Sequence, residues 1–289
     1  MPEYSKERKP DWLKVKIDIN DNYKYLNNML KTHKLNTVCS EARCPNIYEC
    51  WSRKTATIMI LGDTCTRACG FCSVKTGRGR EIDLKEPLNT ALAVQKMGLK
   101  HVVITSVDRD DLKGDYGAAI WSQTVLKIRE INPDCKIEIL TPDFKGYYPA
   151  LMKVFSSRPD IFSHNIECVE RVSRKVRSQS NWRVSKEVLK LSVDYNLVTK
   201  TGMMVGLGET DEEVFDTMEE VSSLGVKIFN IGQYLQPTKQ HLKVERYVHP
   251  VKFKEYKEFG LKLGFQVVES GPLVRSSYMA DKQAEGIVS

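Results

Sequence analysis

The cysteines of this 289-residue chain are the residues whose spacing points most directly to chemistry. Six of the eight lie between Cys39 and Cys72, in two groups of three. The second group, Cys65, Cys69 and Cys72, reads C-x3-C-x2-C. Three thiolates on so short a loop suit a cubane iron–sulfur cluster that leaves one iron without a protein ligand, and an open metal position is typical of a catalytic site. Zinc is the alternative, although no fourth Cys or His follows at zinc-finger spacing.

The first group, Cys39, Cys44 and Cys50, reads C-x4-C-x5-C and lies in an irregular, polar stretch. This composition predicts a loop that holds a second metal centre. The alternative is a set of buried free thiols, because cysteine is often buried. Nothing in the sequence indicates export, so disulfides are not expected. Cys135 and Cys168 have no partner at ligand spacing, and we interpret them as structural.

Short β-rich apolar runs alternate with helical periodicity in the rest of the chain. The runs are Thr57–Leu61, His101–Thr105, Lys136–Leu140, Asp160–Ser163, Val198–Met204, Lys227–Ile231 and, as a possible seventh, Phe265–Val268. The helical stretches are Asn89–Met97, Ala118–Ile131, Pro149–Phe155, Val184–Tyr195, Asp211–Leu224 and Val251–Leu263. Such alternation predicts a parallel sheet, and neither a G-x-G-x-x-G nor a Walker loop is present. We therefore predict an α/β fold, a partial (βα)6 TIM-type barrel with N-terminal and C-terminal extensions. Its chemistry is expected at the C-terminal ends of the strands.

The predicted barrel covers residues 55–264. Residues 1–54 are expected to form an N-terminal arm, with a weakly amphipathic helix around Tyr23–Leu30 and the first cysteine group in a loop. Residues 265–289 form a C-terminal extension that carries the sequence Arg-Ser-Ser-Tyr. Within the barrel, a helix is expected to begin at Asp211, where acidic side chains follow Thr210.

The composition is that of an ordinary globular protein, with 41% hydrophobic and 28% charged residues. It excludes collagen-like and disordered classes. No apolar run approaches the roughly 20 residues of a membrane-spanning helix, and the N-terminus lacks the apolar stretch of a secretory signal. The expected location is therefore the cytoplasm. The formal net charge of +7 favours acidic partners without requiring nucleic acid.

The C-x3-C-x2-C loop after the first strand resembles that of the radical S-adenosylmethionine superfamily. Longer strings resemble one family within it, the lipoyl synthases, from about Val38 to about Ala280. The matching segments are Glu41–Asn46, Gly62–Arg67, Ser106–Asp111, Ser163–Glu167, Met204–Thr210, Gln233–Pro237 and Arg275–Tyr278. Few families share so many long strings, so the resemblance is specific.

The resemblance implies two 4Fe–4S clusters and S-adenosylmethionine as cofactors. Cys65, Cys69 and Cys72 would hold the cluster that binds and cleaves S-adenosylmethionine, and the first cysteine group would hold an auxiliary cluster. A serine of the Arg-Ser-Ser-Tyr motif would be the fourth auxiliary ligand. Spacing does not decide between Ser276 and Ser277, because neighbours in an extended segment face opposite ways, but the family pattern favours Ser277.

Serine is a harder and weaker iron ligand than thiolate, which suits a cluster whose sulfur is consumed. Arg275 would neutralise or gate that cluster. Without the resemblance, Ser276 and Ser277 would be interpreted as surface hydroxyls and Arg275 as a solvated charge.

Further candidates follow the predicted strands, where they would bind S-adenosylmethionine. They are Phe71, Thr105, Ser106, Asp108, Asn165, Glu167, Gly206, Gln233, Tyr234 and Leu235. Gly206 would let the backbone approach the cofactor closely. The alternatives are helix starts for the acidic residues, loop hydrogen bonds for Asn165 and Glu167, and a simple βα turn at Gly206. His164 could line the same site or be a hydrogen-bonded loop residue.

The function implied by the resemblance is that of a radical sulfurtransferase. It would insert two sulfur atoms into an octanoyl chain on a protein lysine, giving the lipoyl group, and its auxiliary cluster would be the sulfur source. An aliphatic substrate would require an apolar channel between the clusters.

The expected partners are an acidic, octanoylated lipoyl-carrier domain and a low-potential electron donor such as ferredoxin or flavodoxin, without nucleic acid or membrane. The alternatives are another sulfur-inserting or methylthio-transferring radical enzyme, an iron–sulfur electron carrier and a zinc-bearing nucleic-acid-binding module.

Overall fold

The computed structural model describes residues 8–15, 17, 19–32, 36–41, 44–53, 55, 57–79, 81–285 and 287. Two residues of the predicted auxiliary motif, Ala42 and Arg43, lie outside the described residues, as do residues 1–7 of the predicted arm. Within the described part, no helix is both long and apolar enough to cross a lipid bilayer.

One large sheet organises the chain. Its strands are β1 (Asn36–Thr37), β2 (Thr57–Ile60), β5 (His101–Ser106), β6 (Lys136–Leu140), β7 (Ile161–Ser163), β8 (Thr199–Val205), β9 (Ile228–Gln233) and β10 (Val267–Gly271), and two further short strands, β3 (Thr64–Cys65) and β4 (Lys75–Thr76), pair separately. The order in the large sheet is β1-β2-β5-β6-β7-β8-β9-β10. All neighbours in it are parallel except β1 and β2. Among the described strands β1 and β10 do not pair, so the barrel is partial, and the predicted fold class is confirmed.

Helices cover the outside of this sheet. They are α1 (Asp21–Thr32), α2 (Val38–Glu41), α3 (Ile47–Ser52), α4 (Glu86–Met97), α5 (Ala118–Ile131), α6 (Tyr148–Ser156), α7 (Glu170–Val176), α8 (Trp182–Asp194), α9 (Asp211–Ser223), α10 (Pro250–Lys262) and α11 (Ala280–Ala284). Short 3-10 turns occupy Asp11–Leu13 and Phe144–Gly146. Each of the six predicted strands and six predicted helices is present within three residues of its predicted bounds.

Two parts of the fold differ from the sequence prediction. The segment of the first cysteine group is not an irregular loop but contains the short helices α2 and α3, whose lengths are too small to give a periodic pattern. Helix α7 was not predicted, because its seven residues are mostly charged or polar. The predicted start of α9 is confirmed, since Thr210 and Glu213 form a reciprocal capping box.

The strands bury alternate residues on the two faces of the sheet. On β6, Ile137 and Ile139 belong to the core under the helices. Glu138 faces the opposite way, where it contacts Lys200 of β8 across the concave face. The concave face is therefore where inward side chains from different strands meet.

The C-terminal segment closes the end of the barrel at which the strands begin. Ala284 packs with Ile161 and Ile228, the first residues of β7 and β9. The segment also passes close to β9, because a Cβ atom on Gly232 would lie 2.1 Å from the carbonyl oxygen of Val274. Glycine at this position allows residues 272–279 to run along the concave face.

Candidate active site

The loop from Cys65 to Cys72 lies at the C-terminal end of β2. Strands β3 and β4 close its base by pairing Thr64 with Lys75 and Cys65 with Thr76. The three thiols of the loop are free and partly exposed. Their position is the one that the barrel fold gives to catalytic groups.

Backbone groups from two strand ends hold Cys65. Its sulfur accepts hydrogen bonds from the amides of Arg67 and Asp108, both at 3.4 Å. Burial and, to a smaller extent, the nearby Asp108 carboxylate raise the pKa of the Cys65 thiol to about 11. Burial likewise raises the pKa values of Cys69 and Cys72. Bound iron reverses this preference because a metal stabilises thiolates, so the trio suits a cationic cluster and is poorly suited to isolated thiolates.

A buried arginine within the loop anchors it to the barrel. Arg67 forms paired hydrogen bonds of 2.6 to 2.9 Å with Asp110 and with Asp143, and its guanidinium lies 3.2 Å from Asp108. These bonds hold the pKa of Asp143 at about 2, well below its ordinary value. Sequence reasoning missed this role for Arg67, although the acidic run after the second strand was the available signal.

Asp108 and Glu167 bring negative charge to the loop. Both carboxylates raise the pKa of Cys69, which places them beside the same thiol. Burial raises the pKa of Asp108 to about 6 and also raises that of Glu167. Asp108 Oδ1 is the atom that faces the Arg67 guanidinium, whereas the buried Asn165 Oδ1 accepts no hydrogen bond within the described part of the chain. This acceptor fits a ligand that carries amino or hydroxyl donors, as S-adenosylmethionine does.

The other predicted strand-end residues bind protein groups. Thr105 Oγ1 donates to the Leu140 carbonyl at 2.9 Å, and Ser106 Oγ donates to the Val107 carbonyl at 2.8 Å. Phe71 packs against the hydrophobic core on the β8 and β9 side of the barrel. Their side chains therefore shape the wall of the site, with their hydroxyl hydrogens already engaged.

The predicted residues at the ends of β8 and β9 also bind protein groups. Gln233 is fully buried, and its side chain bonds the backbone of Val205, Tyr234, Arg246 and Val248. The Tyr234 hydroxyl donates to the Leu242 carbonyl at 2.7 Å, while Leu235 is half-buried.

The close packing of Gln233 and Arg246 against Gly206 requires a residue without a side chain at this position. Its φ is +97°, and a Cβ atom there would lie 2.2 Å from Gln233 Nε2. The close approach that this glycine permits in the structure is to Gln233 and Arg246.

His164 is a hydrogen-bonded interior residue. Its ring nitrogens lie 2.9 Å from the Thr141 carbonyl oxygen and 3.0 Å from Ser185 Oγ. Burial lowers its pKa to about 4, so the ring is neutral near pH 7. Arg177, also buried, binds Ser185 Oγ and the Asn165 carbonyl. It was not singled out from the sequence, which gave no pattern for it.

The first cysteine group lines a cavity at the opposite end of the barrel strands. Thr57 and His101, the first residues of β2 and β5, line the same cavity. Its cysteines and their C-terminal neighbours are Cys39, Cys44, Cys50, Arg275, Ser277 and Tyr278. The two cysteine groups thus lie at opposite ends of β2, with the concave face of the barrel between them.

The thiols in this cavity affect one another. Burial and, to a smaller extent, the charge of Cys44 raise the pKa of Cys39 to about 11 and that of Cys50 to about 12. Among the described residues, no three His, Cys, Asp or Glu side chains converge closely enough to bind one metal ion.

The two serines of the Arg-Ser-Ser-Tyr sequence point in different directions. Ser277 Oγ accepts a hydrogen bond of 2.8 Å from Thr57 Oγ1 and lines the cysteine cavity. Ser276 Oγ accepts one of 2.6 Å from Asn165 Nδ2, and its carbonyl accepts from Asn230. Only Ser277 therefore shares a cavity with the first cysteine group in this structure.

Arg275 is the cation of this cavity. Within the described part of the chain it forms no ion pair with a carboxylate, and the ionisable groups that interact with it are the Cys44 thiol and the Lys9 ammonium. Burial lowers its pKa from the ordinary value. A half-buried cation without a carboxylate partner, beside three thiols and a hydroxyl, fits an anionic cluster carried by those ligands.

The C-terminal segment is fastened to α3 and its flanks, which carry Cys50. Asn46 Nδ2 donates to the Leu273 carbonyl at 2.7 Å, and the Tyr278 hydroxyl donates to Glu49 at 3.1 Å. Arg53 and Asp281 form an ion pair of 2.8 Å. These contacts hold Ser277 against the cysteines from a position more than two hundred residues later in the chain.

Sequence comparisons identify relatives of this chain over nearly its whole length. Residues 59–221 match the model of the radical SAM superfamily, and residues 1–44 match that of the N-terminal domain of lipoyl synthase. The lipoyl synthase of Shouchella clausii is 53% identical over 279 residues, covering 96% of this chain and 90% of the relative. That of Rubrobacter xylanophilus is 50% identical over 285 residues, covering 98% of this chain and 88% of the relative.

Solved structures agree with the fold. Methylornithine synthase has a TM-score of 0.54 at 13% identity, covering 86% of this chain and 82% of its own. Streptococcus suis SuiB bound to S-adenosylmethionine has a TM-score of 0.58 at 10% identity, covering 90% of this chain and 58% of its own. At these identities the likeness supports the barrel alone.

Proposed function

This chain belongs to the lipoyl synthase family of the radical SAM superfamily, and we propose that its two cysteine groups divide that enzyme's work between the two ends of the barrel. A lipoyl synthase inserts two sulfur atoms into a protein-bound octanoyl chain. When bound, a 4Fe–4S cluster with S-adenosylmethionine supplies the radical chemistry, and an auxiliary 4Fe–4S cluster supplies sulfur. The protein contributes binding, orientation and exclusion of water.

Cys65, Cys69 and Cys72 hold the cluster that binds S-adenosylmethionine. The Arg67 network supports this assignment, because it fixes the loop against Asp110 and Asp143. The S-adenosylmethionine site is formed by Asp108, Asn165 and Glu167. Asn165 Oδ1 is a buried acceptor that takes no hydrogen bond within the described part of the chain, and both carboxylates lie close enough to Cys69 to raise its pKa. Its walls are Phe71, Thr105, Ser106, Gly206, Gln233, Tyr234 and Leu235.

Cys39, Cys44, Cys50 and Ser277 hold the auxiliary cluster, and Arg275 balances its negative charge. The shared cavity and the separate hydrogen bonding of Ser276 support the choice of Ser277. The Thr57 hydroxyl, which donates to Ser277 Oγ, orients that ligand.

This division assigns a task to each segment of the chain. Residues 1–54 bring three auxiliary ligands, residues 55–264 form the radical SAM barrel, and residues 265–289 bring the fourth ligand. The concave face between the cysteine groups is where the octanoyl chain lies.

The substrate is an octanoylated lipoyl-carrier domain, and the electron donor is a low-potential protein such as ferredoxin or flavodoxin. The net charge of +7 supports an acidic protein partner through electrostatic steering. Neither nucleic acid nor a membrane is needed, and the reaction takes place in the cytoplasm.

One observation carries the proposal: two sets of three thiols lie at opposite ends of β2. The test is iron and sulfide analysis of the anaerobically reconstituted protein, followed by mass spectrometry of an octanoylated carrier domain after turnover. About eight irons per chain are expected for two 4Fe–4S clusters, with a mass gain of two sulfur atoms on the carrier. About four irons, or cleavage of S-adenosylmethionine without sulfur in the product, would contradict it.

A further inference from the structure

A buried ion pair lies on the concave face of the barrel and has no part in the reaction described so far. Lys200 Nζ is 2.9 Å from Glu138 Oε1, and the two side chains are 0% and 1% exposed. Their strands, β8 and β6, are separated by β7, so the pair spans the inside of the barrel. His101 extends the group, with Nε2 at 3.8 Å from Glu138 Oε2. We call Lys200, Glu138 and His101 the charged floor.

The stability of the fold does not by itself explain why the charged floor is present. Removing two charges from water costs several kcal/mol per ion, and an ion pair recovers this only when further hydrogen bonds satisfy both partners. Within the described part of the chain, Lys200 Nζ and both Glu138 oxygens have no partner with good hydrogen-bond geometry beyond the pair itself. Apolar side chains of similar volume would serve the fold as well.

The charged floor lies directly below an apolar part of the barrel wall. Side chains two residues apart on a strand share one face, so Leu140 lies above Glu138, and Met204 lies above Lys200 with Gly202 between them. Leu140 and Met204 are only half-buried, which leaves their surfaces free to contact a ligand. On β8, the level between Met204 and Lys200 is occupied by Asn165 and Asn230, which lie beside Gly202. On β6, the inward side chains change from the half-buried, apolar Leu140 to the buried, charged Glu138 within one layer.

This change occurs beside the first cysteine group. Val103 pairs in register with Glu138 and lines the cysteine cavity, as does His101. An alkyl chain that entered past the Cys65 loop along Leu140 would meet the cysteine cavity at the level of the charged floor. Going deeper would bury methylene groups against the charges of Lys200 and Glu138, whose side chains are 0% and 1% exposed.

We propose that Lys200 and Glu138, with His101, limit how far the acyl chain enters the barrel, and that this limit sets the chain length accepted and the carbons presented to the cysteine cavity. The inference rests on the proposed function, which places the octanoyl chain on this face. It goes beyond it by assigning chain-length specificity to residues that touch neither cluster.

The first test compares the affinity of the wild-type protein for acyl chains of three lengths. Hexanoyl-, octanoyl- and decanoyl-lysine peptides are titrated calorimetrically into the iron-loaded protein without S-adenosylmethionine, so that binding is measured without turnover. Two further buried methylenes tighten binding about tenfold from hexanoyl to octanoyl. The decanoyl peptide is expected to bind about tenfold more weakly than the octanoyl peptide, because its last two carbons meet the floor.

The second test replaces the pair in the double variant Lys200→Met/Glu138→Leu, which leaves no unpaired charge. Decanoyl binding is expected to approach octanoyl binding within about threefold, a difference under 1 kcal/mol. The control is Lys186→Met/Glu220→Leu, which removes an ion pair between α8 and α9 outside the barrel. This variant should have the same relative affinities for the three peptides as the wild type.

The outcomes separate the two proposals. If no peptide binds, the result contradicts both the proposed function and the proposed role of the charged floor. If the wild-type protein binds the octanoyl peptide but binds the decanoyl peptide equally or more tightly, only the proposed role of the charged floor is contradicted. If the double variant folds but its relative affinities for the three peptides equal those of the wild type, the proposed role of the charged floor is also contradicted. If the double variant does not fold, the wild-type affinities alone decide.

Discussion

The hydroxyl of Thr57 donates a 2.8 Å hydrogen bond to Ser277 Oγ across 220 positions of sequence. Thr57 also contacts the thiol of Cys39 through its backbone amide and its hydroxyl. One residue at the start of β2 therefore touches both a thiol and the serine that share the cysteine cavity. This relationship makes the roles of the two neighbouring serines separable.

Ser277→Ala is expected to lower the retention of the auxiliary cluster, because that cluster keeps three protein ligands instead of four. Iron release to a chelator should become about ten- to a hundredfold faster. Ser276→Ala is the matched control, since it loses only the bond from Asn165, worth about 1 kcal/mol. Chelator kinetics, followed by absorbance, measure both. Equal iron release from the two variants would remove the distinction between the serines.

Cys69→Ala and Cys44→Ala are expected to separate the two cysteine groups. Each variant should retain about four irons per chain. Cys69→Ala should produce no 5′-deoxyadenosine, whereas Cys44→Ala should still produce it and insert no sulfur into the carrier. Chromatography of the nucleoside and mass spectrometry of the carrier measure the two steps. Loss of both steps in Cys44→Ala would contradict the division of labour.

Arg67→Gln is expected to destabilise the protein, because it leaves Asp110 and Asp143 without their buried cation. Breaking a buried ion pair in this way costs about 3–5 kcal/mol, measurable by urea unfolding of the metal-free protein. Arg171→Gln removes an exposed pair with Glu213 and should cost no more than about 1 kcal/mol. A similar small change for both variants would show that the network does not anchor the loop.

His164 predicts a pH dependence of stability. Its pKa is about 4 in the folded protein and near 6.5 when unfolded, so between these values the unfolded chain binds more protons. The stability contribution is complete above pH 6.5 and is lost as the pH falls to 4, by on the order of 3 kcal/mol. His164→Asn should flatten the urea-unfolding free energy across this range, while His249→Asn, at the exposed start of α10, should keep the wild-type slope. A wild-type slope in His164→Asn would exclude this origin.

The ion pair between Arg53 and Asp281 predicts a change in access to the first cysteine group. Arg53→Gln should loosen the C-terminal segment and speed alkylation of Cys39, Cys44 and Cys50 in the metal-free protein about tenfold, equivalent to about 1.4 kcal/mol of opening free energy. The thiols of Cys65, Cys69 and Cys72 are an internal control and should react at unchanged rates. Mass spectrometry of each peptide gives the rates, and a uniform increase would indicate general unfolding.

Local signals in the sequence predicted most of the fold. The period of two in runs such as Lys136–Leu140 and the capping residues at Thr210 depend on neighbours only a few positions apart, so they are readable in one sequence. Helix α7 was missed because a short charged helix is stabilised by what it packs on rather than by its own pattern.

The contacts between distant segments were not readable in the same way. Alternation predicts that Glu138 faces inward, but not that it meets Lys200 across β7, because the curvature of the sheet decides which inward residues touch. The carboxylates around Arg67 come from two different strand ends, and Ser277 reaches Cys39 only after the C-terminal segment has crossed the concave face. On the concave face, the half-buried Leu140 and Met204 are apolar, whereas Glu138 and Lys200 on the same strands are charged; the apolar channel expected from the sequence stays a prediction.

The distance in sequence between Cys50 and Ser277 has a consequence during synthesis. A ribosome adds roughly 5–20 residues per second, so the three thiols wait roughly 10 to 45 s before the serine is made. During that interval they are exposed soft ligands with no finished site, open to zinc capture or oxidation. Under the proposed assignment, Ser277 completes the auxiliary site last, so we expect iron and sulfide to be loaded only after nearly all of the chain has been synthesised.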